Sequence, residues 1–176
     1  MALRRALVAL IAAAPTVLPG CGWAPLYADP EAGPASEELR AIKVSPIPER
    51  IGQRLEIALR NSLNPSGEAI SPRYLLTTSL ISVLGNLGIQ SQGLATLGQI
   101  DTFATVTLVD LQNNATLLTN TVHVANSFDL NPNQYSTIVG EDDARNRTVA
   151  ELDQEIVTRL TMFMQRRTAE KAAKPG

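Results

Sequence analysis

The middle of this 176-residue chain contains no lysine or arginine. The cation-free stretch covers residues 74–144, where apolar residues alternate with Thr, Ser, Asn and Gln. Alternation of this kind is typical of β-strands that bury one face. A sheet that faces open water normally carries many charged side chains at its outward positions. Because neutral polar groups are cheaper to desolvate than charged ones, the pattern favours a sheet enclosed by another protein, with a weakly charged free face as the alternative.

Four segments are predicted to be β-strands, and three of them lie within this stretch. Their bounds are Leu39–Ser45, Tyr74–Leu84, Ile100–Gln112 and Ala115–Phe128. The glycines between Gly85 and Gly98 predict a long hairpin loop, and their spacing is not that of a phosphate-binding loop. Asn113–Asn114 predicts a tight turn, because Asn tolerates positive φ. The last two strands should therefore pair antiparallel.

Two helices complete the predicted fold. Apolar residues recur at helical spacing over Glu49–Leu63, and a second helix follows a loop over Asp129–Gly140. Acids at Glu141–Asp143 would stabilise the positive end of that second helix's dipole. Its apolar face consists of Val149, Leu152, Ile156, Leu160 and Phe163. The order β-α-β-β-β-α predicts an α+β two-layer sandwich, in which a mixed four-stranded sheet carries both helices on one face.

The N-terminus has the pattern of a bacterial lipoprotein signal. Arg4 and Arg5 precede an apolar segment, Ala6–Val17, that is too short to span a membrane as a helix. Leu18–Cys21 then resembles a lipoprotein processing site, which predicts that residues 1–20 are removed and that Cys21 carries the lipid anchor. Gly22 after the cysteine favours the outer membrane, with the protein on its periplasmic side. The alternative is a structural or catalytic thiol at this single cysteine.

The mature chain is long enough for one compact domain. Residues 21–38 are predicted to be the lipidated N-terminus and a flexible tether, because residues 28–38 contain acids, prolines and a glycine but no large apolar residue. The domain is predicted to cover residues 39–167. The remaining residues, 168–176, are predicted to be a disordered tail.

Several short motifs, in their order along the chain, resemble the α-proteobacterial branch of the LPS-assembly lipoprotein family LptE. They are Cys21–Tyr27, Ile42 with Val44, Pro48–Gln53, Tyr74–Leu76, Ser127–Phe128, Tyr135 and Asp143–Arg147. The resemblance covers nearly all of the mature chain. It implies a four-stranded sheet with two helices, and a lipoprotein that occupies the lumen of the outer-membrane β-barrel LptD. Such a protein helps the barrel to assemble and assists delivery of lipopolysaccharide to the cell surface.

Two sets of residues follow as candidate sites. Lipid A phosphates need Lys or Arg donors, and the cations that could form one basic end of the domain are Lys43, Arg50, Arg54, Arg60 and Arg73. The alternative for them is a solvated helix face. The candidate partner-facing threonines are Thr105, Thr107, Thr119 and Thr121. Lys at these positions is expected to weaken the complex, whereas Lys at Glu56 on the first helix is expected to be tolerated.

Catalysis finds little support in the sequence. His123 is the single histidine, and its place in a strand indicates a residue bonded to a neighbour rather than a general base. Neither a cofactor nor a metal site is expected, since the acids at Glu141–Asp143 lack the spacing of a calcium loop. No nucleic-acid partner is expected. The rival function is that of a periplasmic lipoprotein serving as an auxiliary subunit of an ABC-type lipid transporter.

Overall fold

The computed structural model describes residues 34–65, 67, 71–89 and 95–173. The predicted signal peptide, Cys21 and the first part of the predicted tether lie outside the described residues. In chain order, the elements are α1 (Pro34–Arg40), β1 (Ile42–Val44), α2 (Arg50–Leu63), β2 (Tyr74–Ile89), β3 (Ala95–Asp110), β4 (Ala115–Asp129) and α3 (Gln134–Ala173).

The four strands form one mixed sheet in the order β1-β2-β3-β4. β1 runs parallel to β2, whereas β2–β3 and β3–β4 are antiparallel. The β2–β3 register runs without a bulge from Tyr74 opposite Asp110 to Leu87 opposite Leu97. The β3–β4 register shifts once, between Leu108 and Val109. The predicted mixed four-stranded α+β architecture is confirmed.

The core lies between one face of the sheet and the two long helices. α2 contributes Leu55 and Leu59, and a spacing of four residues along α3 brings Leu152, Ile156 and Leu160 onto the same layer. All five side chains are fully buried. The sheet meets them with alternate residues of its strands, which are Tyr74, Leu76, Ala104, Val106, Leu108 and Val122. Both helices therefore cover a single face, and the opposite face of the sheet carries no helix among the residues described.

The predicted loop over Gly85–Gly98 is wrong in most of its length, since β2 extends to Ile89 and β3 begins at Ala95. One of these glycines, Gly98, permits a close packing contact. Gly98 lies opposite Phe128, and a Cβ on Gly98 would approach Phe128 Cζ to 2.5 Å. The ring of Phe128 thus packs against the bare backbone of β3, in a small cluster with Ile100 and Ala144.

The last helix begins earlier than predicted, at Gln134 instead of Glu141. Its first turn is capped by Asn133, whose Oδ1 accepts a hydrogen bond from the backbone N–H of Tyr135 at 3.1 Å. The acids Glu141–Asp143 therefore lie inside the helix and not at its positive end. They pair with arginines instead, as in the 2.6 Å contact of Glu141 with Arg145 one turn later.

Both ends of the predicted domain also differ from the structure. α1 occupies Pro34–Arg40, where the end of the flexible tether was expected, and α3 continues through residues 168–173 of the predicted tail. The two segments approach each other at Glu38. Its carboxylate accepts a 2.6 Å hydrogen bond from the Tyr74 hydroxyl and lies 3.9 Å from Lys171 Nζ. Through these polar contacts both segments pack against the domain, which their composition did not predict.

Candidate functional site

The face of the sheet opposite the helices, called here the open face, contains all four candidate threonines. In the antiparallel ladder Thr105 lies opposite Thr121, and Thr107 lies opposite Thr119. The hydroxyl oxygens of Thr105 and Thr121 are 3.1 Å apart. The other described members of β2–β4 on this face are Leu75, Thr77, Ser79, Ile81, Val83, Gly85, Leu87, Leu97, Gln99, Asp101, Phe103, Val109, Thr116, His123, Ala125, Ser127 and Asp129.

Charge is nearly absent from the open face. Among the β2–β4 residues of this face, Asp101, His123 and Asp129 can be ionised. Asp101 and His123 contact each other, with Asp101 Oδ1 3.0 Å from His123 Nε2. The second carboxylate oxygen accepts a 2.9 Å hydrogen bond from Gln99 Nε2. Phe103 stacks on the His123 ring at 4.3 Å between centroids and an interplanar angle of 11°. His123 is therefore a strand residue bonded to a neighbour, as its sequence position predicted.

Exposed apolar side chains lie beside the threonines. Ile81 is 64% exposed, Val83 54% and Phe103 40%, and the three belong to adjacent positions of β2 and β3. Such a cluster on a charge-poor surface is characteristic of a face that is covered by another protein. Covering the part of this face that β2–β4 form would remove apolar area and neutral hydroxyls from water without burying a lysine or arginine.

The candidate basic residues do not gather at one end of the domain. Arg54 donates to Asp142 at 2.9 Å, whereas the Arg73 guanidinium lies 5.8 Å from the centre of the Tyr74 ring. The Arg167 guanidinium is 5.7 Å from the centre of the same ring. Residues 142 and 167 are separated by about 37 Å along the axis of α3. Arg54 and Arg73 therefore belong to opposite ends of the long helix.

Of the remaining cations, Arg50 lies near Arg54, whereas Lys43 lies on another face of the domain. Arg50 and Arg54 line a cleft of about 280 Å³ between α2 and α3, together with Ile51, Ile138, Glu141, Asp142 and Arg145. Its two acids offset two of its three arginines, and the hydrogen bond from Arg54 holds the pKa of Asp142 below its ordinary value. Lys43 is the β1 residue that lies opposite Leu75, on the open face. Direct contact with lipopolysaccharide stays a prediction, and it loses the single basic end that motivated it.

Glu56 is not the free surface position that its sequence suggested. Its side chain is 15% exposed and contacts Arg60 at 2.5 Å. It also accepts a 3.2 Å hydrogen bond from the backbone N–H of Ile47. A lysine there would lose both contacts, so Glu56 is unsuitable as a tolerant control. Asn61 on the same helix is exposed and serves that purpose better.

Two further properties bear on the site. Among residues 34–65, 67, 71–89 and 95–173, no three side chains of the His, Cys, Asp and Glu types come together in a way that could hold a metal ion. Nor does any helix in these ranges combine the length and apolar character needed to cross a membrane.

The fold occurs in solved structures of bacterial lipoproteins. A proposed lipoprotein from Caulobacter crescentus CB15 matches with a TM-score of 0.61 at 19% identity, covering 74% of this chain and 96% of the other. Lipoprotein B from Nitrosomonas europaea matches with a TM-score of 0.56 at 14% identity, covering 70% and 83%. A minor lipoprotein from Acinetobacter baumannii gives 0.53 at 18%, covering 69% and 91%.

Comparison with protein-family models gave no match, and comparison with curated proteins gave none either. At identities below one fifth, the structural matches establish the fold and leave the function open. The chain thus has an α+β fold that is shared with domains of several bacterial lipoproteins.

Proposed function

We propose that this protein is an outer-membrane lipoprotein, anchored through Cys21 on the periplasmic side, that inserts its open face into the lumen of an LptD-type β-barrel. In that position it would assist assembly of the barrel and, through it, transport of lipopolysaccharide to the cell surface. The lipoprotein signal in the sequence, the order of LptE-like motifs and a fold shared with bacterial lipoproteins support the proposal.

The observation that carries the proposal is the composition of the open face. The surface of β2–β4 consists mainly of threonine hydroxyls and exposed aliphatic groups, its Asp101–His123 pair is internally bonded, and its other acid, Asp129, lies at the end of β4. Such a surface can be enclosed at low desolvation cost. The helix-covered side differs sharply, since α3 alone carries Arg145, Arg147, Arg159, Arg166 and Arg167. A protein-lined lumen would therefore receive the neutral face and leave the charged helices toward water.

Lysine substitutions at Thr119 and Thr121 test this orientation. Both side chains are exposed on β4, so each variant should fold, but each would bring an ammonium group into the interface. We expect recovery of the barrel with an affinity-tagged variant to fall at least about tenfold, because leaving one buried charge unpaired costs more than about 1.4 kcal/mol. Recovery is measured from detergent-solubilised membranes after circular dichroism has established that the variant is folded.

Asn61→Lys on α2 is the matched control, because it adds the same charge to the helix-covered side. It should recover the barrel as the unmodified protein does. The orientation is wrong if both folded threonine variants recover the barrel fully while Asn61→Lys does not. Recovery of an inner-membrane ATPase complex in place of a barrel would instead favour the transporter-subunit function. Mass spectrometry of the native protein should find an acylated Cys21 in either case.

A further inference from the structure

The sheet has two edges, and only part of the first is occupied. β1 pairs with β2 at Tyr74, Leu75 and Leu76, where Ser45 N–H adds a last hydrogen bond to Leu76 O at 2.9 Å. The chain then leaves the sheet, while β2 continues to Ile89. Within the described residues, no strand pairs with β2 beyond Leu76 on that side.

The free edge presents a defined row of backbone groups. Tyr74 donates its N–H to Ala41 O at 3.2 Å, and Leu76 uses its carbonyl toward Ser45, so even-numbered residues of β2 point their backbone groups toward β1. Backbone direction alternates along a strand, and the β2–β3 register has no bulge up to Leu87. The outward residues past β1 are therefore Thr78, Leu80, Ser82, Leu84 and Asn86.

The opposite edge, on β4, is covered in a way that the β2 edge is not. Arg159 Nη1 donates to Thr121 O at 3.3 Å, and Arg147 Nη2 donates to Ser127 O at 3.0 Å. Both arginines belong to α3, which packs along β4. Charged side chains that occupy edge carbonyls are one of the devices by which proteins prevent unwanted strand pairing.

The β2 edge lacks these devices. Residues 77–87 contain neither a proline nor a charged residue. Three apolar side chains beside the edge are exposed, with Ile81 and Val83 on the open face and Leu84, 53% exposed, on the helix side. A long neutral edge of this kind is a template for another strand, because only an extended backbone matches its alternating donors and acceptors.

We propose that the edge of β2 from Thr78 to Asn86 binds an extended, uncharged segment of a partner polypeptide as an added strand in line with β1. The bound segment would span about 30 Å at about 3.4 Å per residue. The bound segment must be uncharged because its side chains would lie beside Ile81, Val83 and Leu84. Residues 77–87 of β2 offer no charged side chain that could pair with a charge on that segment. That the partner is the outer-membrane barrel rests on the proposed function; the mode of binding rests on the edge itself.

A second copy of the chain fits this edge less well. If two β2 strands paired antiparallel about Ser82, residue 88 of one copy would fall opposite Leu76 of the other. That position is already occupied by the other copy's β1 and Ser45. A separate extended segment avoids this conflict and can use the whole row.

Hydrogen–deuterium exchange with residue resolution tests the added strand. Amide exchange is compared between the protein alone and the protein bound to the detergent-solubilised barrel. We expect the amides of Thr78, Leu80, Ser82, Leu84 and Asn86 to slow at least about tenfold in the complex. The odd-numbered amides between them should already be slow, because they are bonded to β3. Binding of the barrel with unchanged exchange at the five amides would overturn the added strand and leave the proposed function intact.

A pair of variants distinguishes the contribution of the Ser82 backbone N–H from that of the Ser82 side chain. Ser82→Pro removes one outward N–H without removing a β2–β3 hydrogen bond, and Ser82→Ala keeps that N–H. Both lose the hydroxyl contact to Thr102 at 3.0 Å. Barrel recovery should fall about tenfold with Ser82→Pro relative to Ser82→Ala; equal recovery by folded variants would overturn the proposal. If Ser82→Pro does not fold, the exchange result decides.

Two other outcomes would also contradict the added strand. Slow exchange at the five amides in the isolated protein, together with a dimer in sedimentation, would assign the edge to a second copy. Absence of any bound barrel would overturn both the partner named here and the proposed function.

Discussion

Gly98 and Phe128 face each other across β3 and β4, and their contact depends on the absence of a side chain. In Gly98→Ala the new Cβ would meet the Phe128 ring at 2.5 Å, so the ring must leave its cluster with Ile100 and Ala144. We expect a loss of about 1–3 kcal/mol in the free energy of unfolding, seen as a lower melting temperature. Gly85→Ala is the control, because a Cβ added at Gly85 would have nothing within 4 Å of it. Equal melting temperatures for the two variants would contradict the packing argument.

Asp153 provides a prediction about pH. Burial between α2 and α3 raises its pKa above the ordinary value for an aspartate, a change that the hydrogen bond from Ser62 at 2.7 Å partly opposes. One carboxylate oxygen is buried without a protein partner. A raised pKa in the folded state means that the folded protein binds this proton more tightly than the unfolded chain does. Its contribution to stability is therefore complete below the ordinary aspartate pKa and is lost as the pH rises through the raised one.

Asp153→Asn should remove this loss of stability at higher pH, because asparagine does not ionise. Chemical denaturation at neutral pH should show the variant to be more stable than the unmodified protein, and the difference should shrink as the pH falls below the ordinary aspartate range. A gain of the same size at acidic and neutral pH would show that the ionisation of Asp153 is not its cause.

Single residues also show what sequence could reveal about the site. The threonines could be identified because they alternate with the apolar residues of the core, so Thr105 and Thr107 had to share a face once Val106 was buried. The same alternation places Ile81 and Val83 beside them. Their residue types could not show this, because an exposed isoleucine or valine looks the same in a sequence as a buried one. The separation of the basic residues could not be predicted, because it depends on which end of α3 each one meets.

Among the secondary-structure elements, α3 contributes most to the core. It buries Val149, Leu152, Ile156, Leu160 and Met164, whereas the sequence favoured Phe163, which is only half-buried. Burying such side chains is worth about 1.5–3 kcal/mol each, comparable in total with the net stability of a domain. A chain that ends at Asn133, before α3, should therefore lack a cooperative thermal transition. A cooperative, native-like melt of that fragment would contradict the architecture described here.

Element boundaries were predicted where local signals agreed with the tertiary structure and missed where they did not. The Asn113–Asn114 turn is confirmed, because Asn114 adopts φ 57°, which its side chain tolerates. The glycines of the β2–β3 hairpin indicated a loop, but Gly85 and Gly98 pair in register as strand residues. The acids at Glu141–Asp143 indicated a helix start, but their partners are Arg145, Arg147 and Arg54.

At the scale of the whole molecule, the chain separates its charge from its neutral surface. The arginines of α2 and α3 lie on the helix layer, where several pair with acids one turn away, while β2–β4 expose hydroxyls and aliphatic groups on the other side. This separation was visible in the sequence as the cation-free stretch, because strands and helices fall in separate blocks. The proposed function assigns this neutral side to the lumen of an outer-membrane β-barrel.

Site-specific photo-crosslinking in living cells tests that assignment most directly. A photo-reactive phenylalanine analogue at Thr119 on the open face is compared with the same analogue at Asn61 on α2, both exposed positions. We expect irradiation to join the Thr119 variant to a large outer-membrane β-barrel, identified by mass spectrometry, and the Asn61 variant to give little of this product. Crosslinking to the barrel from Asn61 and not from Thr119, or to an inner-membrane transporter from either position, would contradict it.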